Sequence, residues 1–202
     1  MLFCVTQADV VAVVNKMVQA LVPSMVEGVL AELEKEKVVL LGDSILRRVQ
    51  RTQFFKRGFA KYRVTDLAIS GSTVAKALET FSNFCYERGT RFLPSSNLVI
   101  LLGTNDFLKN GQFNYRQYLD LTLDAASSSF FKKIILIELP PIPRKPFLAE
   151  AIHEANNWIA SLARKNGMKL IKAPQSVSYD GVHLDGWGMR LLATSILQLL
   201  SE

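Results

Sequence analysis

Ser44, Asn105, Asp180 and His183 are side chains that could together break an ester bond, and they lie in three short segments far apart in the chain. These are Gly42-Asp43-Ser44-Ile45, Gly103-Thr104-Asn105-Asp106 and Asp180-Gly181-Val182-His183. A serine hydroxyl is a poor nucleophile at neutral pH until a base removes its proton. The chain has 2 histidines to supply that base, and His183 shares its segment with a carboxylate. Such a reaction would speed up with rising pH as His183 loses its proton, because only the neutral imidazole accepts one.

Each segment also has a structural reading. Gly, Asp and Ser are common where a strand turns into a helix, for backbone geometry and capping. Asn105 alone is a usual turn residue, and Asp180-Gly181 alone is an ordinary turn pair. Asp43 and Asp106 read as acceptors for neighbouring backbone donors rather than as metal ligands. His153, near Glu150 and Glu154, reads as a solvent-facing helix residue. With 2 histidines and no cysteine pair at ligand spacing, a zinc site has little support.

What favours joint action is where these segments fall among the elements. Continuous apolar runs at 37–41, 62–69, 97–102, 133–138 and 168–172 suit strands buried on both faces. Helical patterns over 44–52, 73–87, 115–128, 147–166 and 187–200 alternate with them, which predicts a parallel sheet covered on both sides. Ser44 would follow the first strand and open a helix, with the backbone N–H groups and positive dipole end facing a ligand. Gly71 would follow the second strand, Asn105 the third, and Asp180 with His183 the fifth, so all share one sheet edge. The segment 139–146, Leu-Pro-Pro-Ile-Pro-Arg-Lys-Pro, must be a stiff loop at that same edge, where open α/β sheets bind ligands.

On these residues the chain resembles the GDSL-type, or SGNH, hydrolase family from about Lys37 to its end. The family's signature serine, glycine, asparagine and histidine correspond to Ser44, Gly71, Asn105 and His183. Ile45 stands where the naming motif has leucine, and Leu67-Ala68-Ile69-Ser70-Gly71 matches the glycine block more loosely than the other segments match theirs. The resemblance implies a three-layer α/β/α, flavodoxin-like fold with a five-stranded parallel sheet in the order 2-1-3-4-5. It implies hydrolysis of ester or thioester bonds, acyl or acetyl esters of small or lipid-like substrates among them, with no metal or cofactor. Ser44 would be nucleophile, His183 general base and Asp180 the group that orients the imidazole. The N–H groups of Ser44 and Gly71 and the Asn105 amide would form the oxyanion hole.

The 202 residues, 49% hydrophobic and 21% charged, suit one sizeable core plus an appendage. Residues 1–36 read as a helical segment and 37–202 as the hydrolase domain. Thr6 or Asp9 would cap a first helical piece, Pro23 marks a join, and Ser24 with Glu27 has capping-box spacing for a second. Its apolar stripe could pack on the body or mediate a homodimer. No basic residue precedes Lys16, so this stretch is not expected to be a signal peptide, and no run suits a membrane span. Two cysteines and no Asn-x-Ser/Thr site lean towards an intracellular, cytoplasmic setting.

The net charge of +6 is concentrated in Arg47, Arg48, Arg51, Lys56, Arg57, Lys61 and Arg63, with no acid among them. Phe54, Phe55, Phe59 and Tyr62 interleave these cations, a pattern that can grip phosphates and stack on bases. An anionic membrane surface would attract the same charges. The alternative is a solvated face with its aromatics turned into the core. A nucleic-acid-binding module on the same fold is therefore the second functional expectation. The chain also resembles, in general character, the esterase domain in first-reading-frame proteins of certain LINE-type retrotransposons.

Overall fold

The computed structural model describes residues 25–28, 35–92, 96–128 and 130–202. The chain divides between Lys35 and Glu36. Residues 25–28 are helical, and the remaining expectations for 1–34, including capping by Thr6, Asp9 or Ser24 and dimerisation, lie outside the described residues. The unit Glu36–Glu202 carries the site.

Its sheet has five parallel strands in the order β2-β1-β3-β4-β5. They are β1 Glu36–Gly42, β2 Tyr62–Asp66, β3 Ser96–Leu101, β4 Phe131–Ile137 and β5 Lys169–Ile171. The central strand β3 is buried along its whole length, which is why Leu98 to Leu102 reads as an unbroken apolar run. The helices are α1 Ser44–Gln50, α2 Gln53–Gly58, α3 Val74–Phe92, α4 Thr104–Asn110, α5 Tyr115–Ser127, α6 Ala149–Lys165 and α7 Gly186–Ser201. Helices α3 and α5 pack together, and α1 and α2 pack on α7. Helix period and strand period alternate as expected, and the three-layer α/β/α order 2-1-3-4-5 is what results.

Two boundaries differ from the sequence expectation for physical reasons. Strand β2 ends at Asp66 because the Asp66 carboxylate accepts the Ala68 N–H at 2.8 Å and bends the chain there. The segment beyond still follows β1, with Leu67 N–H on Leu40 O and Ile69 N–H on Gly42 O. The helix expected over 44–52 stops at Gln50, and Thr52 opens α2 by accepting the Phe55 N–H at 3.1 Å. Helices α2 and α4 are not among the helical patterns of the sequence, since neither reaches two full turns.

The core closes over aromatic residues as well as aliphatic ones. Tyr118 on α5 is fully buried against the rings of Phe113 and Trp158 at centroid distances of 5.2 and 6.0 Å. Burial pushes its phenol well above the ordinary tyrosine range, and its hydroxyl has no hydrogen-bond partner among the described residues. Tyr118→Phe keeps the ring contacts and removes a desolvated hydroxyl, so it should raise the unfolding free energy by about 1 kcal/mol. Urea unfolding checks this, and a loss of stability would mean the hydroxyl is satisfied.

Candidate active site

Strand β1 ends at Gly42, where a side chain would not fit: a Cβ would come within 2.8 Å of Leu46 Cδ2 and 3.0 Å of the Leu101 carbonyl oxygen. The next residue, Asp43, is extended and caps α1, its Oδ1 accepting the Ile45 N–H at 2.8 Å. Ser44 is thereby the first residue of a helix aimed at the sheet edge. Its Oγ lies 2.9 Å from His183 Nε2.

The histidine comes from a loop that organises itself. Val177 and Leu184 form an antiparallel bridge, and the Ser178 N–H donates to the His183 carbonyl at 2.7 Å. Val182 and Leu184 are buried and hold the loop to the body, and His183 between them is half-buried. Gly181 makes the turn with φ 67°, and the Arg144 N–H donates to its carbonyl at 3.1 Å. Asp180 Oδ1 accepts the N–H groups of Val182 and His183 at 3.0 and 2.9 Å, while Oδ2 lies 2.7 Å from His183 Nδ1. A carboxylate at that distance holds the proton on Nδ1 and leaves the Nε2 lone pair for the serine hydroxyl.

Asp180 is half-buried, which alone would raise its pKa. The N–H groups of His183 and Val182, with side-chain bonds from His183 and Ser178, outweigh burial and hold the carboxyl well below the usual range. It is therefore ionised wherever the imidazole is useful as a base.

Asn105 is the second residue of α4 and is buried. Its Nδ2 donates to the Ser72 carbonyl at 3.0 Å and lies 3.5 Å from Asp43 Oδ2. Asp106 Oδ2 accepts the Val74 N–H at 3.0 Å. Thus the segments after β1, β2 and β3 are tied to one another by side-chain bonds. Gly71, with φ 78°, sits one residue before Ser72, and its carbonyl accepts Lys109 Nζ at 2.7 Å. Lys109 went unnoticed in the sequence, although it lies four residues after Asn105 on the same helix face.

The basic stretch departs from the nucleic-acid pattern. Phe55, Phe59 and Tyr62 are buried, and Phe55 stacks on Phe59 with centroids 3.7 Å apart. Phe54 is partly exposed and lies under the Arg190 guanidinium. Three of the four aromatics therefore serve the core, and Phe54 stays at the surface. Arg48, Arg51, Lys56, Arg57 and Lys61 are exposed. Arg48 alone among these meets the site, with Nη1 at 3.4 Å from Asp180 Oδ2. His153 is exposed on α6 and bonds Asn157.

Loop 139–146 borders two hollows. One, of about 540 Å³, includes Leu139, Ile142, Ile152 and His153 in its wall and none of Ser44, Asn105, Asp180 or His183. The other, about 520 Å³ and open, is formed by Pro143, Arg144, Tyr179, Asp180 and Gly181. The second includes Asp180, and neither Ser44 nor His183 is in its wall.

Asp43 has no exposed surface. Burial pushes its carboxyl up to about 7, opposed by the Ile45 N–H. The folded chain then binds a proton that the unfolded chain releases between about pH 4 and 7, so the stability contributed by this group falls as pH rises through that window. In Asp43→Asn the fall should be smaller by on the order of a few kcal/mol. Unfolding of both proteins at pH 5 and pH 8 measures it, and equal slopes would contradict the assignment.

No protein-family model and no curated protein matches this chain. Solved structures do. A member of the lipolytic G-D-S-L family from Veillonella parvula superposes with a TM-score of 0.71 at 18% identity, covering 83% of this chain and 99% of that one. A GDSL-like lipase from Bacteroides thetaiotaomicron gives 0.65 at 23% identity over 82% and 88%. An acetyl xylan esterase gives 0.64 at 17% identity over 81% and 99%. Sheet order, helix placement and these superpositions agree: the chain has the fold of the GDSL, or SGNH, lipolytic proteins.

Proposed function

We propose that this protein is a serine esterase that hydrolyses acyl or acetyl esters. The observation that carries this is the continuous chain from Ser44 Oγ to His183 Nε2 and from His183 Nδ1 to Asp180 Oδ2, at 2.9 and 2.7 Å. The fold neighbours support it, being a G-D-S-L lipolytic protein, a GDSL-like lipase and an acetyl xylan esterase.

In this reading His183 Nε2 takes the Ser44 proton as Oγ bonds to the ester carbonyl carbon. The carbonyl electron pair moves onto oxygen, and the N–H groups of Ser44 and Gly71 and the Asn105 amide receive that charge. Asn105 is suited to this because Ser72 fixes one of its N–H bonds, while its contact with Asp43 is long and readily exchanged. Each such donor is typically worth about 10²–10³ in turnover. The intermediate collapses when the imidazolium gives its proton to the departing alcohol oxygen. Water then attacks the acyl-serine carbon, His183 takes its proton, and the acid leaves as the proton returns to Ser44 Oγ. Asp180 stays ionised and stabilises the imidazolium throughout.

The basic stretch retains exposed charge with three of its four rings buried, which favours electrostatic contact over base stacking as the role of that face.

Ser44→Ala and His183→Ala should each remove nearly all turnover of p-nitrophenyl acetate, on the order of 10⁶-fold by analogy with the subtilisin triad. The double variant should be no slower than either single one. Undiminished turnover in Ser44→Ala would overturn the proposal.

A further inference from the structure

Two arginines stand at the loop that carries His183. Arg48 follows Ser44 by four residues on α1, hence on the nucleophile's own helix face. Its Nη1 reaches Asp180 Oδ2 only at 3.4 Å, with the side chain 48% exposed. That carboxylate already receives two backbone N–H groups and the imidazole at 3.0 Å or less. Arg48 is thus a loosely held partner, and its remaining guanidinium N–H donors have no acceptor among the described residues. Arg144 approaches from the Pro-rich loop, its backbone N–H on the Gly181 carbonyl. It helps form the open hollow of about 520 Å³ against Tyr179 and Asp180. Among the described residues its guanidinium has no ion-pair or hydrogen-bond partner.

The other acids near the reacting groups each have partners of their own. Asp43 and Asp106 are buried and accept the Ile45 and Val74 N–H groups. Asp185 is engaged by the Gly188 N–H and the Ser176 hydroxyl. The mouth beside Asp180 therefore offers two guanidinium groups against one carboxylate that the triad uses.

The direction of the chemistry says which half of the ester meets them. The acyl oxygen must face Asn105 and the backbone donors, whereas the leaving oxygen must face His183 Nε2, which protonates it. Arg48 and Arg144 both approach the loop that carries His183, the side from which the alcohol leaves. We infer that the preferred substrates carry a carboxylate or phosphate group on the alcohol half of the ester, bound by Arg48 and Arg144. Guanidinium groups suit either anion because their paired N–H donors match two oxygens at once. Tyr179, fully exposed in the same wall, offers an apolar face for the alcohol's carbon skeleton.

This rests on the esterase reading, and the experiment separates the two. Three acetyl esters are compared at low salt: 4-acetoxybenzoate, 4-acetoxyphenyl phosphate and methyl 4-acetoxybenzoate, the last uncharged. Intrinsic reactivity cancels when the anionic-to-neutral ratio of kcat/KM is compared between proteins. The ratio should fall at least tenfold from the intact protein to R48Q/R144Q and should fall less in R48K/R144K. It should also shrink in the intact protein as salt rises towards 1 M, where screening shortens to about 3 Å. A larger fall for the phosphate assigns phosphate as the natural group, and a larger fall for the benzoate assigns carboxylate. An unchanged ratio, with Ser44-dependent turnover of the neutral ester, overturns this inference alone. Turnover of none of the esters by protein that is folded by circular dichroism overturns the esterase reading and this inference with it.

Discussion

The hydrogen bond from the Ile45 N–H to the buried Asp43 carboxyl starts helix α1 directly after strand β1. That cap places the Ser44 hydroxyl at a helix beginning instead of leaving it on a loop. The same carboxyl approaches the Asn105 amide, whose firm bond is to the Ser72 carbonyl. A group with no exposed surface thus sits at the crossing of three strand ends. Its burial has an electrostatic cost that the surrounding donors offset in part. The fold tolerates that cost where the geometry of the serine is set.

The histidine is positioned on a different principle. Its loop closes on itself through the Val177–Leu184 bridge, two buried apolar residues and the backbone bonds that Asp180 accepts. Asp180 therefore shapes its own turn as well as holding the imidazole. This local closure explains why the segment reads so clearly in sequence: four adjacent residues contain most of what fixes it. The serine, glycine and asparagine segments depend on one another across the sheet, and the looser glycine block is the one whose contacts come mainly from backbone carbonyls.

Strand and helix alternation was legible because β1, β3 and β4 are buried on both faces and the longer helices show their period. Helices α2 and α4, at 6 and 7 residues, are too short for a period to declare itself. Whether Phe55 and Phe59 turn inwards stayed open for another reason. Gly58 lets α2 lie so close to α7 that an added Cβ would fall 2.4 Å from Leu197 Cδ1, a contact between distant parts of the chain. Alternating cations and aromatics in a line of sequence gave no sign of that neighbour. Arg144 was equally silent, since only the third dimension sets the Pro-rich loop against Gly181.

Loop 139–146 is anchored by the buried Leu139, Pro140 and Ile142, by Lys145 Nζ on the Leu108 carbonyl, and by its backbone. The Asn156 amide on α6 donates to the Leu139 carbonyl at 2.9 Å and accepts its N–H at 2.7 Å, so a helix grips the loop's backbone at its start. Further along, the Arg144 N–H bonds the Gly181 carbonyl. Backbone attachments of this kind are indifferent to what the outward side chains are. The wall of the mouth can therefore be rewritten residue by residue, with new shape and charge, while the Ser-His-Asp chain beside it stays in register.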